Sequence, residues 1–206
     1  KELIDKDFFK EKTLVFEYIY NNNLRYNWSQ KDFFNFTNKI KEKLQLINLP
    51  KIQQVKKKKI KIGFISSNFV SDHSVTYFVK DLFNYKNENF EIHIFSDLGT
   101  KQEDDTTEIV RKNVDFFHNI SKKNNTEFAS LLRSIGIDIL IDINGYLGKG
   151  RIEIFNSRVC RLQMSWLGYN NTIGLSHSDY LIADKNLILE KEKDHYLRNV
   201  MRKRNG

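Results

Sequence analysis

From Ile60 onward, short apolar runs alternate with amphipathic stretches, and this alternation limits the possible folds more than any other feature of the chain. Strands that are apolar on both faces must be covered on both faces. Parallel neighbours also need a crossover connection, so strand–helix alternation implies a mostly parallel sheet with helices on either side. IKIGFIS (60–66) reads as the first strand, with Val75 to Phe83 as the helix after it. FEIHIFS (90–96) and VDFFHNI (114–120) read as the second and third strands. Thr126 to Ser134 forms a helix with Phe128, Leu131 and Leu132 on one side, closed by Gly136, where a residue at positive φ commonly ends a helix. IDILIDI (137–143) is the clearest buried strand. RLQMSWLGY (161–169) and DYLIAD (179–184) add two more, joined by a polar loop with Gly174. The expected fold class is α/β, a parallel sheet of five or six strands.

The first fifty residues have helical periodicity instead: Leu3, Phe8 and Phe9, then Leu14, Phe16 and Ile19, then Phe33, Phe34, Phe36, Ile40, Leu44 and Leu46. Two helices fit, interrupted at Asn21, Asn22 and Asn23, with Ser29 and Asp32 spaced to cap the second. The span ends at Pro50, and the run Lys56 to Lys59 reads as a solvated connector. The expected organisation is a helical segment over 1–50, a basic linker over 51–59 and the sheet domain over 60–206.

Composition excludes several classes. With 40% hydrophobic residues, 16 Phe and 9 Tyr among 206 residues, the chain is too apolar to be disordered. Its net charge of +8 would suit an anionic partner, but Lys is spread along the chain, so nucleic acid is not the expected partner. Cys160 is the only cysteine, so an intrachain disulfide and a thiolate metal site are both excluded. No apolar run is long enough to span a bilayer, and KELIDKDFFK has no signal-peptide core. No membrane partner, no metal and no cofactor are expected, and the expected compartment is the cytoplasm.

In open α/β sheets, ligands bind beyond the carboxyl ends of the strands, where loops converge. The loop after the first strand, Ser66-Ser67-Asn68-Phe69-Val70-Ser71-Asp72-His73-Ser74, concentrates hydroxyls, an amide, a carboxylate and an imidazole. His73 can act as a general base or donate to a phosphate, and it can equally cap the following helix. His93, His118, His177 and His195 read as structural. The loop after IDILIDI, Asn144-Gly145-Tyr146-Leu147-Gly148-Lys149-Gly150-Arg151, allows close backbone approach, and Lys149 and Arg151 are placed to neutralise an anion. It matches neither G-x-x-x-x-G-K-[ST] nor G-x-G-x-x-G. Asp138 and Asp142 bracket the strand and read as partners of backbone groups.

IKIGFISSNF, HSVTYF, FEIHIFSD, GIDILIDINGYLGKGR, LQMSWLGYNNTIG and SDYLIAD, in this order from about Lys59 to Asp184, resemble the catalytic region of the O-linked N-acetylglucosamine transferase family, glycosyltransferase family 41, including its SPINDLY-like members. The resemblance implies the Rossmann-like N-terminal lobe of a two-lobed GT-B glycosyltransferase. It further implies UDP-GlcNAc as donor and a protein Ser or Thr hydroxyl as acceptor. On this basis the expected site residues are His73 and Asn68 for catalysis, and Ser74, Asn144, Gly145, Tyr146 and Lys149 for substrate binding.

The chain departs from the family pattern at several points. Asn68 stands where the family has an aspartate, and the loop between Phe69 and His73 is one residue longer. No histidine precedes His73, and Val159, Arg161 and Asn170 replace prolines around the Trp-Leu-Gly-Tyr block. The family's second lobe, with the basic group for the diphosphate, is expected to be absent, since the sequence finishes in LRNVMRKRNG. Activity alone is therefore not expected. A noncatalytic binding module of the same fold is the alternative, and a basic nucleic-acid-binding protein is a more remote one.

Overall fold

The computed structural model describes residues 12–24, 29–52, 58–85, 87–147, 150–169, 171, 173–183, 188 and 199–202. Seven strands form one sheet: β1 (Ile60–Ser66), β2 (Phe90–Ser96), β3 (Phe116–Asn119), β4 (Ile139–Asp142), β5 (Leu162–Trp166), β6 (Tyr180–Ala183) and β7 (Asn199–Arg202). Their order is β3-β2-β1-β4-β5-β6-β7. Every pairing is parallel, with Ile60 beside Phe90 and Ile62 beside Ile139 setting the central register. This is the doubly wound Rossmann-like order, in which the chain leaves β1 in opposite directions for β2 and β4. The strand reading therefore holds, with β7 as an addition: its four residues lie among charges and carry too little apolar signal to stand out.

Successive side chains of a strand point to opposite faces, and both faces are used. Ile65, Phe95 and Leu140 pack with helices α1 (Lys12–Leu24), α2 (Gln30–Lys43) and α5 (Asn125–Ile135), through Phe16, Ile19, Phe33, Ile40, Phe128 and Leu132. Phe64, Ile94, Ile141 and Met164 pack on the other face with α3 (Ser74–Val79), the 3-10 turn Lys80–Asn84 and α4 (Asp105–Asn113), through Val75, Val79, Phe83 and Val110. Each fully buried Phe or Ile contributes roughly 1.5–3 kcal/mol. The helices before the sheet thus share its core.

Local chemistry sets the helix ends. Ser29 Oγ accepts from Asp32 N while the Asp32 carboxylate accepts from Ser29 N, a reciprocal capping box. Gly136 takes the left-handed conformation at φ 74° and ends α5. Asn21, Asn22 and Asn23 do not interrupt α1, which continues to Leu24, and Asn22 Nδ2 donates to the Tyr18 carbonyl within it. The predicted helix from Val75 tightens into a 3-10 turn from Lys80. Helix α4 was not predicted, because it buries only Thr107 and Val110. Of the basic run, Lys58 is exposed and Lys59 half-buried, while Lys56 and Lys57 lie outside the described residues. Among the described residues, no helix is long and apolar enough to cross a membrane.

Candidate functional site

The carboxyl ends of β1 and β4 lie side by side where the strand order reverses, so the loops after Ser66 and Asp142 meet. Asn144 fastens them. It is buried, and its Oδ1 accepts from Ser66 Oγ, from Ser67 N at 3.3 Å and from Asn68 Nδ2 at 3.4 Å. Its Nδ2 donates to Ser67 Oγ at 2.8 Å and to the Leu147 carbonyl at 3.1 Å. These bonds use the whole amide. Asn144 is therefore a support for both loops, and its side chain does not face outward.

Asp142 organises the same turn: its carboxylate accepts from Asn144 N at 3.1 Å and Gly145 N at 2.8 Å. Burial pushes its carboxyl up to about 6, against those two hydrogen bonds, and Glu153 nearby adds to the rise. Asp138 accepts from Lys61 N at 3.0 Å, so both aspartates serve backbone groups as their positions suggested. Gly145 has φ 58°, and a Cβ there would strike Tyr169. Gly168 presses on the Ile143 carbonyl so closely that no side chain fits. The Trp-Leu-Gly-Tyr block is thus the packing surface that holds the β4 loop. Tyr146 is fully buried; its hydroxyl donates to the Ile173 carbonyl at 2.7 Å and its ring meets Phe16 and Tyr169 edge-on. It supports the loop from beneath. Arg151 is likewise engaged, with its guanidinium on both Asp97 oxygens at 2.7 and 2.8 Å and on the Lys123 and Ile120 carbonyls. Lys149 lies outside the described residues.

The loop after β1 is held along its length. Asn68 N donates to Ser66 Oγ at 3.0 Å, the Asn68 side-chain oxygen accepts from Ser67 Oγ at 3.2 Å, and its carbonyl accepts from Thr76 Oγ1. Thr107 Oγ1 donates to the Phe69 carbonyl at 2.7 Å. Asp104 accepts from both Ser71 N at 2.8 Å and Ser71 Oγ at 2.7 Å while capping α4, and these hydrogen bonds hold its carboxyl down at about 2. Sequence reading missed Asp104 and Thr107; the signal was Asp-x-x-Thr ahead of Ile109 and Val110, a capping-box spacing.

His73 closes the loop after β1, half-buried, where Nδ1 accepts from Val75 N at 3.3 Å and so caps α3. Burial lowers its pKa, with Asp72 acting the other way, so the ring is neutral at neutral pH. An Nδ1 that accepts places the single proton on Nε2, and the free edge of His73 is then a donor. Capping and ligand donation are compatible, since they use different nitrogens. Ser74 and Asp72 are exposed beside it. Among the described residues, no group of three or more His, Cys, Asp or Glu is placed to hold a metal.

The strand order and the paired loops define a Rossmann-like α/β lobe, whose topological switch point is where open α/β sheets generally bind ligands. The family model "Glycosyl transferase family 41" matches residues 26–200, and the chain belongs to that family. It is 28% identical over 129 residues to a probable UDP-N-acetylglucosamine–peptide N-acetylglucosaminyltransferase SEC of Arabidopsis thaliana, covering 62% of this chain and 13% of the relative. It is 31% identical over 131 residues to the corresponding SPINDLY protein of Arabidopsis thaliana, covering 61% and 14%. The chain therefore spans about one seventh of the length of these curated relatives. A solved O-GlcNAc transferase mutant of Thermobaculum terrenum superposes with a TM-score of 0.75 at 22% identity, over 85% of this chain and 34% of that one. That likeness is of fold.

Proposed function

We propose that this lobe forms one wall of a glycosyltransferase cleft in which N-acetylglucosamine passes from UDP-GlcNAc to a Ser or Thr hydroxyl of a protein, with His73 at the reacting edge. In such a transfer the bond from the sugar C1 to the diphosphate oxygen breaks as the acceptor oxygen bonds to C1. The acceptor proton passes to water or to a diphosphate oxygen, and the diphosphate departs with the electron pair of the broken bond. The observation that carries the reading is the His73 ring, neutral and held through Nδ1 so that the proton sits on Nε2. A fixed donor there suits charge developing on the leaving diphosphate. A general-base role would need the proton on Nδ1 and would strip Val75 N–H of its acceptor. Ser74 is exposed next to His73 and is offered to the same ligand, whereas Gly145 is buried in the β4 loop, and Asn68, Asn144 and Tyr146 keep the loops in place. The remaining diphosphate contacts require groups beyond this lobe.

The alternative of a binding module without chemistry draws on Asn68, whose amide is engaged within the loop and cannot take up a proton at neutral pH. Calorimetry with UDP and UDP-GlcNAc on the chain, His73→Ala and His73→Asn tests the proposal. Asn restores a cap without the imidazole. Binding at about 1 mM or tighter, weakened in both variants, supports it. Undiminished binding in His73→Asn reduces His73 to a cap, and no binding to the parent chain removes the half-site.

A further inference from the structure

A cavity of about 310 Å³ opens at the amino ends of β4 and β5, the opposite end of the sheet from His73. Pro50, Ile137 and Val159 contribute apolar wall, and Lys51, Arg133 and Arg161 bring three cations against the single carboxylate of Asp138. That carboxylate is already occupied by Lys61 N, and it lies 4.0 Å from Arg161 Nη1, at the limit of an ion pair. Arg133 is anchored by Nη2, which donates to the Arg158 carbonyl at 2.6 Å, while its Nε is buried with no hydrogen-bond partner among the described residues. A buried N–H without an acceptor carries a desolvation cost that an anionic ligand would relieve. We propose that this cavity is a binding site for a small phosphomonoester, with Arg133 and Arg161 holding the phosphate and the apolar wall taking the organic part. The excess of cations matches a dianion, and the volume lies at the lower end of the roughly 300–1,000 Å³ of small-molecule pockets. The site is separate from the glycosyltransferase reading and does not depend on it.

The probe is ribose 5-phosphate, titrated calorimetrically into the 206-residue chain, with ribose as the uncharged control and UDP as competitor. Ribose 5-phosphate binds, ribose does not, saturating UDP does not displace the phosphate, and Arg133→Met and Arg161→Gln each weaken binding by about tenfold. Because the Arg161 side chain is 42% exposed, Arg161→Gln tests the site even if Arg133→Met fails to fold. Absence of binding, equal binding of ribose, displacement by UDP, or undiminished affinity in Arg161→Gln overturns the assignment.

Discussion

At the scale of single residues, the site depends on side chains that a ligand never meets. Removing the Asn144 amide leaves Ser67 N and the Leu147 carbonyl without partners, so Asn144→Ala is expected to cost about 1–3 kcal/mol in urea unfolding. Gly145→Ala forces a Cβ against Tyr169 at a positive φ and is expected to destabilise by about 1–3 kcal/mol, with a correspondingly lower denaturation midpoint. Neither cost was legible in the sequence: Asn144, Gly145 and Tyr146 stood out as polar, flexible and aromatic groups in a promising loop. Their actual partners lie far off in the chain: Ser66 and Ser67 are brought near by the pairing of β1 with β4, and Tyr169 and Ile173 by that of β4 with β5. His73 was legible as a residue, but its capping bond, with Nδ1 on Val75 N, was visible only in the structure.

At the scale of elements, β2 and β3 carry a device unrelated to the site. Lys61 Nζ contacts Glu91 at 2.9 Å, Glu91 accepts from His93 Nε2 at 2.7 Å, and His93 Nδ1 meets His118 Nε2 at 3.1 Å, within a stack that includes Phe95 and Phe116. When both rings are neutral and Nε2–H of His93 lies on the carboxylate, His93 Nδ1 accepts from His118 Nε2–H, and the two tautomers are linked. Burial holds both histidines low, His118 at about 4 with His93 adding to the fall, while Glu91 and Asp115 partly offset the effect at His93. A depressed folded value means that stability is full above the unfolded value of about 6.5 and is lost as pH falls toward 4. Unfolding free energies from urea titrations at pH 7 and 4.5 are expected to differ by an extra ~1–2 kcal/mol in the parent chain relative to His118→Phe, after allowance for solvent screening. Comparing the two chains cancels Asp142, whose raised value works in the opposite direction. If the two chains show the same pH dependence, the linkage is absent. The strands and α5 were readable because apolar runs and a terminal glycine are local signals. Helix α4 and strand β7 were not, since one is held by Asp104 capping and the other by pairing with β6.

At the scale of the whole molecule, the helices before the sheet are part of its core, as Phe16, Ile19, Phe33 and Ile40 pack with Ile65 and Phe95. Deleting residues 1–50 is expected to abolish the cooperative thermal transition seen by circular dichroism, because it leaves only α5 of the three helices over one face of the sheet and exposes the rest of that core. A sharp melt in the shortened chain would show that the sheet stands without them. The α/β class and the family resemblance followed from ordered blocks along the sequence, whereas the joining of the helical segment to the sheet depends on contacts between distant residues. The central claim is that the switch-point mouth presents His73 as a neutral donor to a sugar nucleotide. The most direct test is ¹⁵N NMR of the His73 imidazole during titration with UDP-GlcNAc. The account predicts the Nε2–H tautomer in the free protein and a shift of the Nε2 resonance on binding. An Nδ1–H tautomer, or binding that leaves both His73 nitrogens unmoved, would contradict it.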